Sequence, residues 1–137
     1  MTLETYIRAQ LLRVAVEFGA RYGGTNNMVA IASTLRNRVF AGWGGWLEVI
    51  EGAASKCGNE NAPRQETATV LKSGTGRIML GRVDEIFSRV DAEDITGGAL
   101  FWVDPQLAIA PWFKKEVMDR PDDHPRVAHI GPVWFFK

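Results

Sequence analysis

Apolar residues in the first third of the chain recur at helical spacing. Ile7, Leu11, Val14 and Phe18 follow i, i+4, i+7, i+11, which predicts a helix over residues 3–18 with one buried face. Glu17 falls on the flank of that stripe beside Tyr6, Gln10 and Arg13, and Gly19 is placed to end the helix. Thr25 or Asn26 can cap a second helix, in which Met28, Val29, Ile31, Ala32, Leu35 and Val39 form a wide apolar face. Ala30, Ala32 and Ser33 leave room for a close neighbour, so this is the expected central helix. The run Ala41-Gly42-Trp43-Gly44-Gly45 breaks it. A third helix is predicted over residues 46–55, with Leu47 and Ile50 facing inward.

Residues 56–65 are polar, contain Gly58, Asn59, Asn61 and Pro63, and read as a loop. Residues 66–72 fit helix or strand, and Ser73-Gly74-Thr75-Gly76 interrupts the chain again. A further helix is predicted over residues 78–90, on Ile78, Val83, Ile86, Phe87 and Val90. The pattern then changes. A glycine turn leads into a strand over residues 97–103, which Asp104-Pro105 stops. Pro111 opens a short helix over residues 111–118, where proline suits the first turn. Residues 119–125 are a charged loop, and Arg126–Ile130 with Val133–Phe136 form a hairpin around Gly131-Pro132. The reading is a single α+β domain over residues 1–137, helices first and a small antiparallel sheet toward the C-terminus.

Composition narrows the partners. The 137 residues are 46% hydrophobic and 23% charged, as in a globular domain. Sixteen basic and sixteen acidic residues cancel, so nothing in the charge asks for a nucleic acid or an anionic membrane surface. There is no apolar run long enough for a transmembrane helix. Residues 1–8 show no basic region followed by an apolar stretch, so no secretory leader is predicted from them. One cysteine, Cys57, gives no disulfide framework and no cysteine zinc cluster, and with only His124 and His129 neither a metal nor another cofactor is expected.

Several chemistries lack their signatures. Cys57 has no histidine placed beside it, no Gly-x-Ser-x-Gly turn is present, and Gly74-Thr75-Gly76 lacks the Lys-Ser/Thr of a phosphate loop. Five tryptophans are many for this length. Each is either core or an exposed plane of the kind that stacks on the apolar face of a sugar, and Trp43, Trp102 and Trp112 lie near glycines or loops. Glu17 is predicted at a helix C-terminus, where the backbone dipole disfavours its charged form. That suits a proton donor; the alternative is a solvated glutamate near Arg13.

The order of segments resembles a family. Glu17 before a Gly/Arg/Tyr turn, then Met28-Val29-Ala30-Ile31-Ala32-Ser33-Thr34-Leu35-Arg36-Asn37-Arg38-Val39, is similar to the opening of the SleB-type cell wall hydrolases, the spore cortex-lytic enzymes and their vegetative relatives. Gly97-Gly98-Ala99-Leu100-Phe101-Trp102 resembles their Gly-Ala-(Thr/Leu)-aromatic strand. Pro111-Trp112 resembles their Pro-x-Trp region, and Ile130-Gly131-Pro132-Val133-Trp134-Phe135-Phe136 their closing strand. The chain departs from the pattern in a longer turn after Glu17, in having no second acidic residue there, and in having no Gln-Phe-Ser segment. Pro132 follows Gly131 where the family has histidine, and His129 lies just before the turn instead.

The resemblance implies a lysozyme-like α+β fold and cleavage of the muramic acid–glucosamine linkage of peptidoglycan, with glycan strands as the partner. It maps the catalytic glutamate onto Glu17, a single acid/base sufficient for a lytic transglycosylase. The expected substrate contacts are Tyr22 and Thr25, hydrogen-bonding the carboxylate or the sugar; Trp102 and Trp112, lining the glycan groove; Asp104, toward an N-acetyl or peptide group; and His129. Asn37 reads equally as a cap or a ligand contact. The alternative is a non-catalytic glycan- or protein-binding domain of the same fold, such as a phage-associated one.

Overall fold

The computed structural model describes residues 24–60 and 83–137. The predicted helix over residues 3–18, and with it Glu17 and Tyr22, lies outside the described residues, as do residues 66–76. The elements in chain order are α1 (Thr25–Phe40), α2 (Trp46–Glu51), α3 (Val83–Ala92), β1 (Phe101–Val103), α4 (Pro111–Phe113), a π-helical turn (Lys114–Met118), β2 (Arg126–Ile130) and β3 (Val133–Phe136). α1 to α3 precede a three-stranded antiparallel sheet of order β1-β3-β2, and α4 with the π-helical turn lies between β1 and β2 in the chain, so the fold is α+β.

α1 is central, as its composition predicts. Every residue from Asn27 to Leu35 is buried, because small and apolar residues on all sides of the helix let neighbours approach from each direction. Met28, Val29 and Ala32 pack against Ile86 and Val90 of α3. Ala30, Ile31 and Leu35 pack with Val49, Ile50 and Ala53 against the sheet residues Trp102, Val133 and Phe135. The helix starts one residue earlier than a side-chain cap would place it: Gly24 is the N-cap, and Thr25 is already helical.

The sheet is covered on both faces. Strand alternation sends Trp102 and Phe135, which are paired across β1 and β3, to the helical core. Their neighbours Val103 and Phe136 go to a second core with Phe113 of α4 and Val117 of the π-helical turn. β2 and β3 form the predicted hairpin, with Ile130 opposite Val133. A bulge between Arg126 and Ala128 turns both Val127 and Ala128 toward the helical core, and Arg126 over the Trp134 ring on the other face.

Three element bounds differ from the sequence reading. α2 ends at Glu51 rather than residue 55, because Gly52 caps it and the chain continues as turns. In this short helix Val49 and Ile50 face the core while Leu47 stays exposed. β1 is only Phe101–Val103, since Gly97 and Gly98 both take positive φ and belong to the preceding turn. The helix predicted to end at residue 90 runs on to Ala92.

Residues 57–60 run beside β1. Gly58 donates to Trp102 O at 2.7 Å and accepts from Ala110 N at 2.8 Å, and Asn59 pairs with Ile109. A Cβ on Gly58 would lie 2.6 Å from Val103 Cβ and 2.9 Å from Phe113 Cδ1, so only glycine fits. Both obstacles are buried core atoms. Gly58→Ala is therefore expected to destabilise by about 1–3 kcal/mol through overpacking, read as a lower urea midpoint with an unchanged slope.

Candidate functional site

The end of α1 is built by its stop signal. Gly42, at φ +85°, donates to Val39 O at 3.1 Å, and Trp43 donates to Arg38 O at 3.0 Å. These are the two bonds of a Schellman motif, which commonly brings the residue after the glycine against the residue five positions earlier. Here that contact is a stack: the Arg38 guanidinium lies 4.8 Å from the Trp43 ring centroid. Its other ring neighbour is Trp102, at 4.6 Å.

Arg38 is 1% exposed. Its Nε donates to Leu100 O at 2.7 Å and its Nη2 to Lys56 O at 3.1 Å. Burial lowers its pKa to about 9, with proximity to Cys57 acting weakly the other way, so the group is cationic at neutral pH. One buried side chain thus ties together the end of α1, the entry to β1 and the segment after α2.

Its neighbour Asn37 holds the adjacent carbonyl. Asn37 Nδ2 donates to Ala99 O at 3.0 Å and to Asp94 Oδ2 at 2.9 Å. Asp94 also accepts from Thr96 N, Thr96 Oγ1 and Gly98 N at 2.6–2.9 Å, which fixes the turn into β1. Asn37 is thus a structural clamp. Burial alone raises the Asp94 pKa, but the bonds from Thr96, Asn37 and Gly98 outweigh it and leave the pKa below the ordinary value. A carboxylate depressed in the folded state stabilises above its unfolded pKa, and that stabilisation is lost as the pH falls through the folded one. Asp94→Asn is expected to cost about 1–2 kcal/mol near neutrality, the partial exposure of the group being allowed for. In acid titrations of stability the gap from wild type should be full above about pH 5 and close only as the pH falls below the ordinary aspartate value of about 3.9.

These anchors frame a cleft of about 290 Å³ lined by Trp43, Ser55, Lys56, Phe101 and Trp112. Trp43 and Trp112 are 36% and 38% exposed. Phe101 is the floor, 5.3 Å from Trp43 and 6.2 Å from Phe113 in edge-to-face contacts. Trp112 is placed by Pro111 at the first turn of α4, and its neighbour Phe113 is buried in the second core. A smaller recess of about 30 Å³ adjoins Trp43 and is lined also by Arg38, Glu48 and Lys56.

Of the residues singled out in the sequence, the structure brings Trp112 to this cleft, whose lining it shares with Trp43. Trp102 is not a groove residue: it is fully buried beneath Arg38, in the helical core. Asp104 is also buried. Its Oδ1 accepts from Gln106 N at 2.9 Å, and its backbone is pinned on both sides by Asn59, so the carboxylate serves its own turn rather than a ligand. His129 is exposed on β2 against Trp134, away from the cleft lining. Thr25 opens α1, thirteen residues before Arg38, hence about 20 Å away along the helix axis. Nothing in the sequence pattern alone points to Lys56 as a functional residue. The signal for Arg38 was present: it lies three and seven residues after Leu35 and Ile31, inside the apolar stripe.

Among the described residues no group of three or more His, Cys, Asp or Glu is placed to hold a metal ion, and no helix is long and apolar enough to cross a membrane. No protein-family model matches the chain, and comparison with curated proteins and with solved structures gives no match either.

Proposed function

We propose that this chain is a peptidoglycan-cleaving glycosidase of lysozyme-like fold, a lytic transglycosylase acting on the muramic acid–glucosamine linkage with Glu17 as its single acid/base. The observation that carries the proposal is the aromatic cleft. Two half-exposed tryptophan planes flank a phenylalanine floor, with polar groups at the edge, an arrangement suited to sugar rings whose faces are apolar and whose rims are hydroxylated. The ordered SleB-like segments supply the chemistry. Glu17, protonated, gives its proton to the glycosidic oxygen as the bond to the anomeric carbon breaks. It then takes the proton of the muramic acid 6-hydroxyl as that oxygen closes the 1,6-anhydro ring. No enzyme nucleophile or activated water is needed, unlike the two-carboxylate glycosidases. Tyr22 is assigned to the carboxylate side of this site, Trp43 and Trp112 to the glycan.

A second reading is a glycan-binding domain without turnover. It is favoured by the absence of any carboxylate from the described lining of the large cleft, and by the distance of Thr25 from it. Incubation of the full chain with purified peptidoglycan separates the two. Anhydro-muropeptides in the mass spectrum establish the transglycosylase, and reducing-end products a hydrolase. Sedimentation with the wall and no soluble product leaves the binding domain, and neither binding nor product removes both readings.

A further inference from the structure

The cleft has a charge that its aromatic lining does not call for. Lys56 is exposed, lines both the cleft and the smaller recess, and holds its Nζ 5.7 Å from the Trp43 ring centroid. It forms no ion pair among the described residues. The acid nearest in the lining, Glu48, is turned back over the start of α2. One of its carboxylate oxygens lies only 2.8 Å from where a Gly45 Cβ would sit, at the first turn, where acidic residues are favoured. Meanwhile the backbone of Lys56 is fixed from beneath by Arg38. The cleft therefore presents an ammonium group, on a held backbone, over the Trp43 ring.

We infer that Lys56 reads a carboxylate carried by the sugar that stacks on Trp43. The inference rests on the glycan reading above and specifies which sugar: one bearing an acid, as muramic acid does, in preference to the neutral glucosamine. The acid is either the free lactyl carboxylate of an unsubstituted muramic acid or a carboxylate of the attached stem peptide. A neutral sugar in the same place gains the stacking and leaves the ammonium to water.

The test is a titration of the full chain, followed by the indole NMR signals of Trp43 and Trp112, with four probes: N-acetylglucosamine, N-acetylmuramic acid, its methyl ester, and N-acetylmuramoyl dipeptide. The expected result is tighter binding of an acid-bearing probe than of N-acetylglucosamine by roughly tenfold, the worth of one hydrogen bond to a charged group. The preference should shrink with added salt and vanish in Lys56→Gln, which leaves the backbone contact to Arg38 in place. Preference for the free acid over its ester assigns the lactyl carboxylate; preference for the dipeptide alone assigns the stem. Equal binding of all four probes, or a preference that survives in Lys56→Gln, overturns the role of Lys56 while the glycan reading stands. No perturbation of either tryptophan by any sugar overturns both.

Discussion

Arg38→Lys is expected to destabilise the protein by about 2–4 kcal/mol although it conserves the charge. The guanidinium reaches two carbonyls on different segments, Leu100 O and Lys56 O, while its flat face fills the space between Trp43 and Trp102. An ammonium is a point donor on a narrower stem. It can serve one of those carbonyls and leaves the other buried without a partner, at about 1–3 kcal/mol, and it stacks poorly between two rings. Charge conservation gives nothing in return. Burial holds the folded pKa of Arg38 at about 9, well below the ordinary value of an arginine. The buried cation therefore opposes folding at neutral pH, and that cost is relieved only as the pH rises through the interval between the two values. Arg38→Met removes this cost together with both bonds, so it is expected to be no worse than Arg38→Lys. Urea unfolding of the three proteins at pH 7 decides the point. A lysine variant within about 0.5 kcal/mol of wild type, the range of an ordinary surface substitution, would sink this account of Arg38.

The same residue shows where the sequence was legible. α1 and the β2–β3 hairpin are readable because one physical requirement dominates each: apolar continuity around a buried helix, and a Gly131-Pro132 turn between two short β-prone runs. The glycine stop after Phe40 was readable too. Its consequence was not, because a Schellman motif is a local rule, whereas the partner that completes the Arg38 stack, Trp102, arrives sixty-four residues later. Tryptophan sorting failed for a related reason. Trp102 and Trp112 both sit beside loops, and only the pairing of Trp102 with Phe135 sends one inward, while the first turn of α4 sends the other out. Asp104 was open to a local reading, since Asp-Pro-Gln is a turn sequence in which the aspartate accepts from the backbone two residues on.

The Asn37-Arg38 pair also links fold to site. Consecutive side chains at the end of one helix take consecutive carbonyls, Ala99 O and Leu100 O, at the threshold of β1. That grip fixes where Phe101 emerges as the cleft floor, and the same arginine fixes Trp43 and the Lys56 backbone. The second half of α1 thus contributes the rigidity of the cleft, and the chemistry proposed for the site is assigned to another residue, Glu17.

For that residue, Glu17→Gln is expected to lower the release of anhydro-muropeptides by about 10²–10⁴-fold, the range of a positioned general acid/base. Glutamine keeps the size and the hydrogen-bonding reach of the side chain, but it has no proton to give to the glycosidic oxygen and no basic oxygen to take one from the 6-hydroxyl. Stability should move in the opposite direction. The sequence places Glu17 in the last turn of a predicted helix, where an anion opposes the dipole by about 0.3–1 kcal/mol, so the neutral amide is expected to leave the unfolding midpoint unchanged or raise it. Loss of turnover with unchanged or increased stability, and with sugar-induced shifts of Trp43 and Trp112 retained, separates a catalytic carboxyl from a structural one. Turnover at the wild-type rate in Glu17→Gln would remove the acid from the mechanism, and a fall in stability that parallels the loss of activity would make it a structural residue.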